Sequence, residues 1–255
     1  MNVKFFKLPV EVDQFDEKRK NIQQQWLNTG FADNDDKWLK LIFKYVFEFY
    51  NYSIGTDANY SLKNENEIKK CMQDWLLGRE DFSGTLTLNL EPLSQDTGQT
   101  GYDDMKFQSQ FWGKGEKYFV IECKILNESN KSMDRYVFCQ ESKKTNGKTV
   151  RYNDGGLYRF LINKYAAHRE FAGMIGFVQK GGADLILAGL KKKIMDLELR
   201  SSSGKRYGQL TDKKLLNKGI NCNKNTFQSK HVRLDKETDT IVTPVHIYHI
   251  LFDFT

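Results

Sequence analysis

Apolar residues recur along this chain with two different periods. Residues 35–50 and 65–77 carry apolar side chains at the three- and four-residue spacing of an amphipathic helix. Residues 118–126, YFVIECKIL, are almost wholly apolar over a length that is typical of a strand buried on both faces. Helical and strand-like segments also alternate along the rest of the chain, which predicts an α/β fold: a mixed, twisted sheet with helices on both faces.

The same patterns divide the remaining chain into elements. Further helices are expected over residues 13–28, 155–171 and 183–199. Further strands are expected over residues 86–90, 173–179 and 242–254. The last strand is expected to pair with the chain around residues 231–234. Polar connections are expected over residues 51–64, 91–100, 127–154 and 201–230, of which the long insertion 127–154 is suited to a surface or substrate-contacting loop.

No linker divides the chain into independent domains, and 255 residues suffice for one large domain or for one domain with an appended subdomain. We therefore expect residues 1–60 to form a helical N-terminal region that packs on the core. Residues 61–255 are expected to form the core itself, together with a C-terminal extension.

The charge of the chain is mildly basic and includes many residues of both signs. It has 39 Lys and Arg against 33 Asp and Glu, a formal net charge of +6. This balance is compatible with a polyanionic partner but does not require one. No HExxH, GxSxG or P-loop sequence is present, so zinc protease, serine hydrolase and nucleoside-triphosphatase functions lack support.

The four cysteines, Cys71, Cys123, Cys139 and Cys222, have no CxxC spacing. They therefore indicate a reducing compartment rather than a disulfide framework or a zinc cluster. The N-terminal residues lack the apolar run of a signal peptide, and no stretch approaches the roughly 20 apolar residues that span a bilayer. The expected location is the cytoplasm, without a membrane partner.

Segment 101–126 combines charge with burial. It predicts two strands joined by a Gly-containing turn, and the second strand carries Glu122 and Lys124. Residues two apart on a strand lie on the same face, and a buried charge needs a partner or a metal. Asp103 and Asp104 stand at the start of the first strand. Two acids and a lysine that converge across this hairpin would hold a divalent metal against a phosphate.

The tripeptide acid-x-Lys carries little information by itself, because it recurs elsewhere in the chain, for example as Glu67-Ile68-Lys69. Only the copy at Glu122 lies inside an apolar strand that follows an acid-bearing strand. The alternative interpretation is an edge strand whose solvated face carries an ordinary Glu-Lys pair.

The pattern resembles the PD-(D/E)xK nuclease superfamily, whose fold is restriction-endonuclease-like. The matching residues are Asp104 as the first acid, and Glu122 and Lys124 as the E-x-K motif. The resemblance covers roughly residues 64–178, and Tyr102 stands where the motif that names the superfamily has Pro. It implies a Mg²⁺-dependent nuclease that hydrolyses phosphodiester bonds of DNA, in a restriction, repair or phage-defence system.

The resemblance also assigns the metal ligands. Asp104 and Glu122 would bind Mg²⁺ directly, with Mn²⁺ as a substitute, and the backbone carbonyl of Cys123 would be a third ligand. Lys124 would lie near the attacking water or the scissile phosphate. Asp103 competes with Asp104 for the ligand position, and Asp104 is preferred because Met105 and Phe107 then alternate as core residues.

Glu65 and Glu67 lie in the helix at 65–77, and Glu67 is a candidate additional ligand. The equally weighted alternative is that these acids simply favour the helix dipole.

Three further side chains are candidates for nucleic-acid contact: Arg159, Lys164 and His231. The favoured alternatives are solvated helix charges for the first two and a structural histidine for the third. DNA is the expected substrate, RNA remains an alternative, and a homodimer or a partner subunit would let two active sites cut a duplex. The competing hypothesis is a catalytically inactive protein of the same fold that binds nucleic acid or a protein partner.

Overall fold

A computed structural model describes residues 35–56, 58–90, 104–109, 118–145, 148–167, 169–216 and 223–255. The helix predicted at 13–28, the competing acid Asp103 and the thiol of Cys222 lie outside these ranges. Within the described residues, no helix has the length and apolarity needed to cross a membrane.

The described chain contains α-helices, β-strands and one short 3₁₀ segment at Tyr60–Leu62. The helices are α1 Asp35–Ile54, α2 Glu65–Leu77, α3 Glu80–Ser83, α4 Asn130–Val137, α5 Gly156–Leu161 and α6 Ala183–Met195. The strands are β1 Thr87–Leu90, β2 Met105–Gln108, β3 Tyr118–Asn127, β4 Cys139–Thr145, β5 Lys148–Asp154, β6 Phe171–Lys180, β7 Leu199–Arg200, β8 Arg206–Tyr207, β9 Thr226–Asp235 and β10 Thr240–Asp253.

Six strands form one mixed sheet in the order β1-β2-β3-β6-β10-β9. The strands β3, β6 and β10 are parallel to one another, whereas the outer pairs are antiparallel. Leu126 of β3 packs tightly against β6 at Gly176, because a Cβ atom at that position would overlap Leu126 Cδ1. The predicted mixed sheet flanked by helices is confirmed, as is the pairing of the last strand with the chain around residues 231–234.

Helix α1 belongs to the same hydrophobic core as the sheet. Its buried side chains include Trp38, Ile42 and Phe49. The ring of Phe43 meets Phe119 of β3 edge-on, with ring centroids 5.6 Å apart. The sheet therefore covers the apolar stripe that the sequence predicts for this helix.

The prediction of one long helix over residues 155–171 is wrong. Helix α5 ends at Leu161, and Asn163 and Ala166 then adopt left-handed backbone conformations with φ of 59° and 47°. Arg233 of β9 accounts for this turn, because its buried guanidinium donates to Asn163 Oδ1 and to the carbonyl of Ala166, at 3.2 and 2.9 Å. The second bond satisfies a backbone carbonyl that a continuing helix would otherwise satisfy.

The polar insertion at 127–154 is not a loop. It contains helix α4, followed by the antiparallel pair β4–β5. Strand β9 likewise begins inside the segment 201–230 that was predicted to be a polar connection. Strands β4 and β5 form a sheet of their own, and many of their side chains are exposed, so they lack the buried apolar alternation by which a strand is recognised.

Candidate active site

Asp104 lies beside Glu122 because of the register between β2 and β3. The pairing Met105↔Ile121, continued by one residue, sets Asp104 opposite Glu122. Both oxygens of Asp104 have donors: the backbone N–H of Cys123 lies 2.8 Å from Oδ2, and Lys69 Nζ lies 3.2 Å from Oδ1. The carboxylate is therefore held in one orientation by a strand and a helix.

Glu122 is completely buried. Its Oε1 accepts from Lys124 Nζ at 2.8 Å and from Arg159 Nη1 at 3.0 Å. Its Oε2 has no hydrogen-bond partner among the described residues. A buried carboxylate oxygen without a donor is costly, and its lone pairs are open to a cation.

Four oxygen atoms surround the ammonium of Lys124. They are the carbonyl of Cys123 at 2.7 Å, Glu122 Oε1 at 2.8 Å, Glu65 Oε1 at 3.5 Å and Asp104 Oδ2 at 3.8 Å. Strand β3, helix α2 and the residue just before β2 supply them, and only 18% of the Lys124 side chain is exposed. Carboxylates and a backbone carbonyl are the donor types that Mg²⁺ prefers.

The acidic side chains are arranged around an ammonium rather than in the spacing of a metal site. Within the described residues, no group of three or more His, Cys, Asp or Glu side chains has that spacing. These oxygen atoms are nevertheless suitable ligands for a hard cation, and Oε2 of Glu122 has no partner among the described residues. Lys124 and a metal ion would therefore compete for the same oxygens.

The electrostatics of the cluster separate the two central acids. Burial, together with the nearby charge of Asp104, raises the pKa of Glu122 to about 8. Burial also opposes ionisation of Asp104, but Lys124, Lys69 and the N–H of Cys123 outweigh it and lower the pKa of Asp104. For Lys124, the attraction of Glu122, Asp104 and Glu65 exceeds the effect of burial and raises its pKa.

Arg159 is the second cation that contacts Glu122. Its Nη1 donates to Glu122 Oε1 and also to the hydroxyl of Tyr165 at 3.0 Å, while Nε donates to Asp154 Oδ1 at 3.0 Å. Gly156 allows this approach, because a Cβ atom there would lie 3.1 Å from Glu122 Cγ. Arg159 was a candidate for nucleic-acid contact, and the structure shows it bound to two acids of the site.

Glu67 does not reach the cluster. Its exposed side chain accepts from the backbone N–H of Asn64 at 2.7 Å, and Asn64 Oδ1 accepts from the N–H of Glu67 at 3.0 Å. This reciprocal capping box caps the N-terminus of helix α2. The additional acid at the site is Glu65, because two positions along a helix turn the side chain to another face.

Sequence reasoning missed Lys69, which is 2% exposed and binds Asp104. The available signal was its position: Lys69 lies four residues after Glu65 and three before Met72, on the stripe that packs against the sheet. A lysine on an apolar stripe needs a buried partner. Lys164, another predicted contact, lies after the end of α5 and is not among the residues that line the cleft at this site.

His231 is buried inside the sheet and cannot contact nucleic acid, which contradicts that prediction. Its Nδ1 lies 2.6 Å from the carbonyl of Gly208, which can only accept, so Nδ1 carries the proton. Nε2 then accepts from the hydroxyl of Ser229 at 2.8 Å, and that hydroxyl accepts from His249 Nε2 at 2.8 Å. His249 Nδ1 accepts from the hydroxyl of Tyr136 at 3.1 Å. With both imidazoles neutral, each bond in this chain has one donor and one acceptor.

Acid is therefore expected to destabilise the protein through this network. Burial lowers the pKa of His231 to about 4, below its unfolded value of about 6.5, so the unfolded state binds more protons in that window. The stabilisation is complete above pH 6.5 and is lost as pH falls towards 4, by about 2 kcal/mol at pH 5 from His231 alone. Urea unfolding between pH 7 and 5 measures this slope, and it should flatten in His231→Gln. An unchanged slope in that variant would contradict the assignment.

A cleft of about 510 Å³ opens at this cluster. Glu65, Lys124 and Arg159 line one part of it, and residues of β4 and β5 line another. The cleft therefore gives a ligand access to Glu65, Lys124 and Arg159.

The fold and the site define a mixed α/β protein with a charged cluster between β2, β3, α2 and α5. Comparison with known proteins finds no matching family model, curated protein or solved structure. The function is therefore inferred from the geometry of the site.

Proposed function

We propose that this protein is a Mg²⁺-dependent nuclease that hydrolyses phosphodiester bonds of DNA with a PD-(D/E)xK-type site. One observation carries the proposal: Asp104, Glu122, Glu65 and the carbonyl of Cys123 direct oxygen atoms at a single cation, the ammonium of Lys124. A charged cluster of this kind, mostly buried yet open to a cleft, is more typical of a functional site than of a stability device.

The topology supports the same proposal. Helix α2, the antiparallel strands β1, β2 and β3, helix α5, and strand β6 parallel to β3 occur in this order in the described chain, with α3, α4 and the β4–β5 pair inserted between them. This is the order expected of a restriction-endonuclease-like core. In it, the E-x-K strand lies between the acid-bearing strand and the first parallel strand, as β3 does.

Each residue of the cluster has a role in the proposed reaction. Asp104, Glu122, Glu65 and the carbonyl of Cys123 would hold Mg²⁺ or Mn²⁺, which when bound activates water and neutralises charge on the phosphate. Lys69 holds Asp104 ionised, and Arg159 orients Glu122. Lys124 stays protonated because its pKa is raised, so it would act as a positive charge beside the phosphate rather than as a general base.

The alternative function is binding of nucleic acid or of a protein partner without cleavage. The observation that favours it is the pairing of Glu122 Oε1 with both Lys124 and Arg159. These two cations already compensate the most buried acid without a metal.

Glu122→Gln is expected to lower cleavage by at least about 100-fold, because the amide supplies a weaker metal ligand. The assay offers plasmid, single-stranded DNA and RNA with Mg²⁺, Mn²⁺ or EDTA. The matched control is Glu67→Gln, which removes the same charge from an exposed acid that caps helix α2, and it should cleave like the wild type. Binding of a substrate without cleavage in the presence of each metal would instead support the function of binding without cleavage.

A further inference from the structure

The β4–β5 pair forms a ribbon with two chemically different faces. Residues paired across an antiparallel ladder lie on the same face. One face, which we name the cleft face, carries the pairs Cys139↔Asp154, Glu141↔Tyr152 and Lys143↔Val150. The opposite face carries the pairs Gln140↔Asn153, Ser142↔Arg151 and Lys144↔Thr149.

The cleft face continues the wall of the candidate active site. Four of its residues line the same cleft as Lys124 and Arg159: Cys139, Glu141, Tyr152 and Asp154. Asp154 also binds Arg159 at 3.0 Å. Positions two apart on a strand are separated by roughly 7 Å, comparable to the spacing of neighbouring phosphates in an extended strand. Along the strand, Tyr152 therefore lies about one phosphate spacing from Asp154, and Val150 lies about two spacings from Asp154.

The cleft face also exposes apolar surface. Tyr152 is 45% exposed and Val150 is 50% exposed, whereas the opposite face presents only polar residues. Within the described residues, the ring of Tyr152 stacks on no other aromatic ring. An exposed aromatic ring beside a charged cleft is the element on which proteins stack unpaired bases.

The ribbon carries uncompensated positive charge. Its two acids already have partners outside the ribbon: Glu141 pairs with Arg135 at 3.1 Å, and Asp154 pairs with Arg159. In the described part of the chain, Lys143 forms no ion pair, so the cleft face keeps an uncompensated positive charge, whereas Lys144 and Arg151 lie on the opposite face. A phosphate group complements the charge of Lys143.

We propose that the cleft face of the β4–β5 ribbon binds a single strand of nucleic acid next to the active site. Tyr152 stacks on an unpaired base, and Lys143 contacts a phosphate. The inference deepens the proposed nuclease function and rests on it, since the strand on the ribbon would be the strand that is cut. It adds a substrate class: an unpaired segment, not an intact duplex.

Two neighbouring lysines provide a matched test. Lys143 and Lys144 are adjacent, exposed and identical in charge, but they lie on opposite faces of the ribbon. Binding of a fluorescent single-stranded oligonucleotide is followed by anisotropy in EDTA, over a range of salt concentrations. Lys143→Ala should reduce the salt slope by about 0.7, the value for one phosphate contact on a single strand. Lys144→Ala should leave the slope close to that of the wild type.

Tyr152 is tested in the same assay. Tyr152→Ala should weaken binding by at least about 5-fold, because base stacking contributes about 1–3 kcal/mol, whereas Tyr152→Phe should bind like the wild type. A duplex of the same sequence should bind more weakly and respond little to Tyr152→Ala. Equal thermal midpoints of the variants show that the ribbon still folds.

The outcomes separate this inference from the proposed nuclease function. Equal effects of the two lysine variants, no effect of Tyr152→Ala, stronger binding of the duplex, or no binding by the wild type would each overturn the inference. Because binding is measured without metal, a protein that fails to cleave any substrate but shows the Lys143–Lys144 difference would contradict the nuclease function and leave the ribbon as a binding surface.

Discussion

Lys124→Ala is expected to slow cleavage strongly while leaving metal binding unchanged or tighter. The ammonium lies within 2.7–3.8 Å of four oxygen atoms that the proposed metal would use. Its removal takes away a competing cation and leaves the acids with less compensation. The same change removes the positive charge beside the phosphate, for which we expect a fall of at least about 100-fold in kcat. Calorimetric titration with Mn²⁺ and a cleavage assay measure the two effects separately.

Two further variants serve as controls for this prediction. Asp104→Asn should weaken metal binding and cleavage together, because Asp104 is a proposed ligand whose two oxygens are held in place. Lys70→Ala removes the same charge from an exposed position on the same helix as Glu65, and it should change neither quantity. Weaker Mn²⁺ binding in Lys124→Ala would show that the ammonium does not compete with the metal.

Arg233→Met is expected to lower the free energy of unfolding by about 3–5 kcal/mol, a large share of the stability of an ordinary domain. The guanidinium is fully buried and donates to four acceptors: the carbonyls of Thr243, Ala166 and Arg169, and Asn163 Oδ1. Methionine replaces the aliphatic part of the side chain but has no donor, so these buried acceptors would lose their partners. Chemical denaturation monitored by circular dichroism measures the loss.

The planar shape of the guanidinium is part of this prediction. Arg233→Lys keeps the charge but cannot direct donors towards all four acceptors, so a loss between those of the wild type and Arg233→Met is expected. Arg200→Met is the control, because the Arg200 side chain is 63% exposed and, within the described residues, forms an ion pair only with Glu198. If Arg233→Met were as stable as that control, the guanidinium would not be holding the chain between α5 and β6.

The elements with strong local patterns could be predicted from the sequence. Helix α2 spans residues 65–77 as predicted, because its apolar stripe and capping residues agree. Strand β3 differs from its prediction by one residue, because a short apolar run bounded by polar residues is typical of a central strand. The same strand revealed Glu122 and Lys124, because charge inside a buried strand is conspicuous.

Other elements could not be found from apolar periodicity. The β4–β5 ribbon exposes both faces, so its side chains do not alternate between core and solvent. The one local signal was Asn146-Gly147 between the two strands, a dipeptide typical of hairpin turns. The sequence predicts that the chain after α5 stays helical. This prediction fails because the hydrogen bonds that stabilise the turn come from Arg233, about 70 positions later in the chain.

By itself, the sequence determined the mixed α/β class, the helix that carries Glu65, and the strand that carries Glu122 and Lys124, since short-range periodicity and composition suffice for these. Only the tertiary structure decided that Glu65 rather than Glu67 joins the cluster, that Lys69 and Arg159 compensate its acids, and that His231 is part of the core. These contacts join residues that are distant in the chain. They depend on strand register and helix packing, which arise when the whole chain buries its apolar surface at once.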